Sequence, residues 1–349
     1  MTILYNFVLF ALDLTALYRV SRLKSALPWC FAVRVTILAE ILLTAVLSRD
    51  RFDLCRLGCY LVFLHGCVFA AGFAVLLWRE RKKLAIISGL CAAALPVLAY
   101  YAFLVEPFWL ETTYRRIVDA KIERPFRIAV LADLQTDNFG DYERGVLRRL
   151  MQEKPDLILL GGDYIQAPDE RYTAISLELN AFMREIRFGA PYGVFAVQGN
   201  VDPAGWPDIF ADLGVTCVEV RKSFDLGPLR LTCLGLSDSF NTSLQVGNPD
   251  PNKYHLVLGH APDFALGRTE ADLLVAGHTH GGQVRFPLLG PVITNSRVPR
   301  PWAAGLTVLP GSGKLLVSRG IGMERYYAPR LRFLCRPELM IIDLLPQKR

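Results

Sequence analysis

Seven side chains, each at the end of an apolar run, have the types and spacing that metal chemistry needs. Ala276 to Gln283 reads AGHTHGGQ, with His278 and His280 one residue apart after the run Asp272-Leu-Leu-Val-Ala276. Such a run predicts a buried strand entering a glycine-rich turn, and alternation puts both imidazoles on one side. Four more turns match it: ADLQTD at Ala132 to Asp137, GGD at Gly161 to Asp163, QGNVD at Gln198 to Asp202 and GHAPD at Gly259 to Asp263. Together they supply Asp133, Gln135, Asp163, Asn200, His260, His278 and His280. Two divalent ions need several ligands, one of them bridging. Carboxylate, amide oxygen and imidazole suit Mn, Fe, Zn or Ni, whereas an oxygen-only Mg or Ca site would not use three His.

The elements that must position these turns alternate in type. The pattern predicts strands at Arg127 to Ala132, Asp156 to Leu160, Val194 to Val197 and Thr216 to Val220, a hairpin from Phe224 to Leu234, and buried strands at Tyr254 to Leu258 and Asp272 to Ala276. Helices are predicted at Tyr142 to Gln152, Thr173 to Arg187 and Pro207 to Leu213. All five ligand turns follow strands, and in α/β sheets the carboxyl ends of strands are where sites are built.

The series D-x-(H/Q), G-D, G-N-x-D, G-H and G-H-T-H resembles the calcineurin-like metallophosphoesterase superfamily. Its membrane-associated branch is resembled by Val284-Arg285-Phe286-Pro287, Gly290-Pro291, Ser318-Arg319-Gly320-Ile321-Gly322 and Pro337-Glu338-Leu339. The resemblance implies an α/β fold, a four-layer β-sandwich flanked by helices, over residues 126–349. It also implies that Asp133, Gln135, Asp163 and His280 hold one metal and Asp163, Asn200, His260 and His278 a second. A water bridging the two ions would then attack phosphorus in line, with no protein nucleophile. Gln135 stands where the family usually has His, and Val201 where its phosphatases have a His that assists the leaving group. Loss of a general acid costs on the order of 10² to 10⁴ in rate for poor leaving groups, so acidic leaving groups are favoured. The same two departures raise an alternative: a metal-poor domain serving as a membrane-anchored binding or scaffold module.

Composition places the remainder of the chain in a membrane. The hydrophobic share of the 349 residues is 52%, and four apolar stretches fit bilayer spans: Ile3 to Tyr18, Trp29 to Leu47, Leu57 to Trp78 and Leu84 to Val105. Residues 1–105 are read as a transmembrane region of about four helices and 106–125 as a linker, with Trp109 and Tyr114 suited to the interface. Up to residue 105 there are 11 Lys and Arg against 5 acids, and beyond it 28 against 28. The basic excess lies in the membrane loops, so there is no basic stripe for nucleic acid. Arg19, Arg22 and Lys24 after the first span, and Arg79, Arg81, Lys82 and Lys83 after the third, place those loops in the cytoplasm and the C-terminal domain outside it. An anchored site favours a membrane lipid partner: a lipid-linked phosphate, a diphosphate or an acylated nucleotide sugar.

Other residues draw weaker readings. Asp13, Arg34, Glu40 and His65 fall within or near the spans, where pairing inside the bundle and a snorkelling Arg34 are the plain expectation. Cys217 and Cys233 are read as thiols and His255 as a core histidine. Asp137 and Asp202 are read as orienting the ligands. Gly311-Ser-Gly-Lys314 is a turn before a strand, since its spacing lacks the first glycine of a P-loop. Arg285, Arg319 and Arg330 have either a substrate-phosphate role or a structural one.

Overall fold

The computed structural model describes residues 2–22, 26–248, 250–310 and 313–347, with backbone alone for 26–32. Lys24, the side chains of Trp29 and Cys30, and Gly311 with Ser312 lie outside the described residues. The chain forms two compact units, one of Met1–Val105 with Glu324–Arg330 and the other of Glu106–Met323 with Leu331–Arg349.

The first unit is helical: α1 (Thr2–Arg22), α2 (Ala26–Leu47), α3 (Arg51–Tyr60), α4 (Gly66–Leu77) and α5 (Lys82–Tyr100). A π-turn at Leu61–His65 joins α3 to α4 into one rod, Arg51–Leu77, and α5 likewise extends to Phe108. Among the described residues, the helices Thr2–Arg22, Arg51–Leu77 and Lys82–Phe108 are long and apolar enough to cross a membrane. Asp13 and His65 pair inside this unit, while Arg34 is exposed. His65 Nδ1 lies 2.8 Å from Asp13 Oδ2 and its Nε2 lies 3.1 Å from Asn6 Oδ1. Tyr5 Oη meets Thr44 Oγ1 at 2.7 Å and donates to the Leu57 carbonyl at 3.1 Å.

The described residues of the second unit form sixteen strands: β1 (Glu111–Asp119), β2 (Phe126–Leu131), β3 (Leu157–Leu160), β4 (Val194–Val197), β5 (Val215–Val218), β6 (Lys222–Leu226), β7 (Leu229–Cys233), β8 (Gln245–Val246), β9 (Tyr254–Leu258), β10 (Arg268–Thr269), β11 (Leu273–Ala276), β12 (Arg285–Phe286), β13 (Gly290–Pro291), β14 (Gly305–Val308), β15 (Lys314–Val317) and β16 (Glu338–Pro346). Two six-stranded sheets dominate, ordered β1-β16-β2-β3-β4-β5 and β14-β15-β11-β9-β7-β6. Strands β2 to β5 run parallel, as do β15, β11, β9 and β7.

The alternation of side chains along each strand splits it between two faces. Ile128, Val130, Leu157 and Leu159 of the first sheet meet Leu231, Leu256, Leu258 and Val275 of the second in one fully buried core. The opposite face of the first sheet packs under α6 (Asp141–Gln152) and α7 (Asp169–Glu185) through Val146, Leu150, Leu179 and Phe182. Strands buried on both faces read as continuous apolar runs, which is why LILL and LLVA were legible as strands. The outer face of the second sheet is covered by 3₁₀ turns, Pro262–Leu266 and Arg300–Ala303, rather than by long helices.

Two elements differ from the sequence reading. The stretch read as a linker carries β1, which pairs in parallel with β16 along nine residues. Its ETTYRRIVD sequence is rich in β-formers but is exposed along one edge, so it lacks a clean apolar run. Tyr114 there donates to Glu153 Oε1 at 2.8 Å, a structural contact. Pro207 to Leu213, expected to be a helix, is a 3₁₀ turn over Trp206–Phe210, with Trp206 fully buried. Its apolar residues anchor a loop. They do not form a stripe.

Candidate metal centre

The turns after β2, β3, β4, β9 and β11 converge at one edge of the sandwich. Asp163, His260 and His278 each offer a ligand atom, and these atoms lie within 4.8 Å of one another. His260 Nε2 is 3.5 Å from Asp163 Oδ2 and 3.0 Å from Asn200 Oδ1, and its Nδ1 is 4.0 Å from Asp133 Oδ1. His278 stacks edge-on to His260, with ring centroids 5.0 Å apart. Asp133 is tied to the cluster because the His278 backbone amide donates to both its carboxylate oxygens, at 2.9 and 3.0 Å. Gln135 donates from Nε2 to Gln166 Oε1 at 2.9 Å, while its backbone amide binds the Asp163 carbonyl at 2.7 Å. His280 is buried, and its Nδ1 has no hydrogen-bond partner.

The backbone shows what this convergence costs. Asp133, Gln135, Asp163, His278 and His280 all have positive φ, between 41° and 68°, in the left-handed region that side chains rarely adopt. Such strain persists where surrounding contacts over-determine it, typically at functional sites. Here Asp202 supplies much of that determination. Its carboxylate accepts from the amides of Asp163, Tyr164 and Gly199, each at 2.8 Å, clamping the β3 and β4 turns together. Gly199 is required for their approach, since a Cβ there would stand 2.1 Å from Asp163 Oδ1.

Residues fit a cation by the chemistry of their lone pairs. His260 Nδ1 faces the Gly161 carbonyl at 2.8 Å, so that nitrogen carries the proton and Nε2 presents a lone pair. Asn200 Oδ1 and Asp163 Oδ2, both acceptors, face that same lone pair. An imidazole nitrogen, an amide oxygen and a carboxylate oxygen brought this close offer the lone pairs that a divalent ion binds. His278 Nε2 likewise faces the Asn295 carbonyl at 3.1 Å, leaving Nδ1 as the acceptor. Burial pushes His260 and His278 down from 6.5 to about 4, with the His260 ring adding to the effect on His278. His280 is also lowered well below 6.5, by burial and then by the Arg332 guanidinium. All three imidazoles are therefore neutral, the ligand form. Asp133 moves the opposite way: burial, then the charge of Asp163, raises it well above a free carboxyl. A bound cation would relieve that cost.

Sequence reasoning missed several positioning residues. Arg332 is fully buried, and its guanidinium donates to the carbonyls of Arg319, Gly320, Gly322 and Cys335 at 2.5 to 3.2 Å. It thereby holds the Ser318 to Gly322 loop against Asp133: the Gly322 amide donates to the Asp133 carbonyl at 2.7 Å. Gly320, at φ 68°, has no room for a Cβ, which would come within 2.8 Å of the Asp133 side chain. Phe240 packs on both His278 and His260, at 5.0 and 6.2 Å between centroids. Nothing in the spacing marks Arg332 or Phe240. The SRGIG glycines were the visible trace.

Other candidates make structural contacts. Arg319 pairs with Glu111 at 2.8 Å and Glu338 at 3.3 Å, and Arg285 donates to the Gly281 carbonyl at 3.2 Å. His255 is buried, 2.8 Å from Thr232 Oγ1 and 3.0 Å from the Glu270 carbonyl. Cys217 and Cys233 are free thiols. Val201 donates its amide to Asp163 Oδ1 at 3.0 Å, and its side chain carries no proton to give.

Comparison with known proteins agrees with this geometry. Residues 126–282 match the family model for calcineurin-like phosphoesterases. An uncharacterized metallophosphoesterase of Bacillus subtilis, YkuE, is 30% identical over 268 residues, covering 70% of this chain and 88% of that protein. Phosphodiesterase YaeI of Escherichia coli is 32% identical over 265 residues, covering 70% of this chain and 92% of that protein. An uncharacterized metallophosphoesterase of Aquifex aeolicus is 26% identical, covering 67% and 94%. The match takes in the strand-end turns that carry the clustered carboxylates and imidazoles, and on these grounds the chain belongs to the calcineurin-like phosphoesterase family and is a metal-dependent phosphoester hydrolase.

Proposed function

We propose that this hydrolase is membrane-anchored, that it uses two divalent ions from among Mn, Fe, Zn and Ni, and that it cleaves a lipid-linked phosphate or diphosphate. The observation that carries the metal reading is the convergence of Asp163, His260 and His278, whose ligand atoms lie within 4.8 Å of one another, with Asn200 Oδ1 3.0 Å from His260 Nε2. Asp133, Gln135, Asp163 and His280 would hold one ion, and Asp163, Asn200, His260 and His278 the other. When bound, such ions activate a water and stabilise charge on phosphoryl oxygens.

The chain's own residues prepare that chemistry. Gly161 and Asn295 set the tautomers of His260 and His278 through their carbonyls. Asp202 clamps the turn bearing Asp163, and the Arg332-held loop backs Asp133. Val201 leaves the leaving group without a proton donor, which favours leaving groups of low basicity, such as the phosphate released from a diphosphate. The name phosphodiesterase, given to the Escherichia coli relative, is in keeping with a diester rather than an alkyl monoester. Apolar helices of spanning length support the anchor, and the basic loops support an extracytoplasmic catalytic unit. That side of the membrane favours a lipid diphosphate over a nucleotide sugar.

The test is hydrolysis by the detergent-solubilised full chain with Mn²⁺, using a phosphodiester, a phosphomonoester and a lipid-linked diphosphate. Turnover greatest on the lipid diphosphate, and lowered more than about 100-fold by Asp163→Asn, is expected. Equal rates in wild type and variant would overturn the assignment of the centre. Preference for the alkyl monoester would overturn the substrate class.

A further inference from the structure

The turn carrying the candidate ligands His278 and His280 runs directly into an apolar hairpin. Gly282 packs on Pro291 so closely that a Cβ would stand 2.4 Å from the Pro291 side chain, and β12 pairs antiparallel with β13. Between these strands, Phe286, Pro287, Leu288 and Leu289 are four consecutive exposed apolar residues. Leu288 is 107% exposed and Leu289 76%, and Leu288 stands at φ 69°. Val292 and Leu334 extend the patch, the latter through Phe333, whose ring faces that of Phe286 at 6.5 Å. Elsewhere among the described residues of this unit the exposed large hydrophobics stand singly, apart from the pair Phe108 and Trp109; a longer continuous exposed run marks an interaction surface.

The charge around the hairpin selects the partner. From Gly281 to Met323 the chain has no acid and five bases, Arg285, Arg297, Arg300, Lys314 and Arg319. Arg297 and Arg300 are exposed and lie in the segment after β13. An apolar tip backed by exposed arginines has the composition of an interfacial membrane contact, where acyl chains meet the tip and anionic headgroups the arginines.

We propose that the Arg285 to Pro291 hairpin dips into the acyl region of an anionic bilayer, bringing the centre beside it level with lipid phosphates. This rests on the reading of the enzyme as membrane-bound, and it goes further in assigning the catalytic unit its own lipid contact.

The full chain is reconstituted into phosphatidylglycerol and phosphatidylcholine vesicles whose acyl chains carry bromine, a quencher of tryptophan emission. Leu288→Trp is expected to add emission that the bromines quench, relative to wild type. In parallel, the double variant Leu288→Ser with Leu289→Ser is expected to hydrolyse a vesicle-borne lipid diphosphate roughly three- to tenfold more slowly, with its rate on a water-soluble phosphodiester unchanged. Unquenched emission from Trp at position 288, with lipid substrate still turned over by wild type, would overturn the hairpin contact while leaving the proposed function standing. Quenched emission without turnover of any lipid substrate would support the contact and count against the lipid-substrate reading instead. A wild-type dimer that the double variant converts to monomer would assign the patch to a second copy and overturn the proposal.

Discussion

At the scale of single residues, the centre is poised between protons and a cation. His260 and His278 are depressed from 6.5 to about 4, so the unfolded chain takes up protons below 6.5 that the fold refuses until about 4. Stability in the metal-free protein is therefore lost as pH falls through that window. Burial, with the charge of Asp163, raises Asp202 from 3.8 to about 7, and Asp133 is raised too, so the fold holds protons there that the unfolded chain has released. The Asp202 contribution is lost as pH rises towards about 7, and that of Asp133 is lost in the same direction. Above that value a cation replaces the missing protons, whereas at low pH it must displace them. Saturating Mn²⁺ is thus expected to raise Tm more at about pH 8 than at about pH 5, as thermal-shift measurement would show. Val201 gives a second expectation. Val201→His supplies the absent proton donor, and should raise hydrolysis of an alkyl phosphomonoester by about tenfold or more while changing a nitrophenyl ester little. Equal gains on both substrates would show that the imidazole acts otherwise.

Secondary-structure elements determine which turns can meet. Strands β2, β3 and β4 run parallel in one sheet and β9 and β11 in the other, so all five of their carboxyl ends come to the same edge. Close approach then depends on loops from distant parts of the chain. The Ser318 to Gly322 loop after β15 leans on Asp133, and Arg332 satisfies the carbonyls it exposes. Gly320→Ala strains a left-handed position and meets the Asp133 side chain, so a loss of about 1–3 kcal/mol is expected, with weakened Mn²⁺ binding in calorimetry. Arg332→Met leaves several buried carbonyls without donors and should cost about 3 kcal/mol or more in urea unfolding. Retained stability in both variants would mean that the loop is not held as described. Asp202→Ala removes the acceptor of three amides and is expected to lower both Tm and metal occupancy.

For the whole molecule, helices of spanning length precede a sandwich whose charges balance. Membrane fractions should therefore release the chain with detergent and retain it in high salt or alkaline carbonate. Release by salt alone would mean that the helices do not span. Much of this organisation was legible along the chain because it is written in local pattern. Apolar runs mark the buried strands, glycine-bearing turns their ends, and long uncharged stretches the helices of the first unit. The ligand turns share that local legibility, since each pairs a strand end with a polar residue. What the sequence could not show depends on distance in three dimensions. The strand Glu111–Asp119 takes its place from pairing with residues more than 200 positions away. Arg332 is a surface residue by type, yet it is buried because the carbonyls of a folded-back loop surround it. Asp202 has a place in the turn sequence, but its hold on three amides exists only once β3 and β4 lie side by side. Local periodicity determined the elements and the residue types at their ends. Tertiary packing decided which carboxylates and imidazoles face one another, because only it sets their distances and their burial.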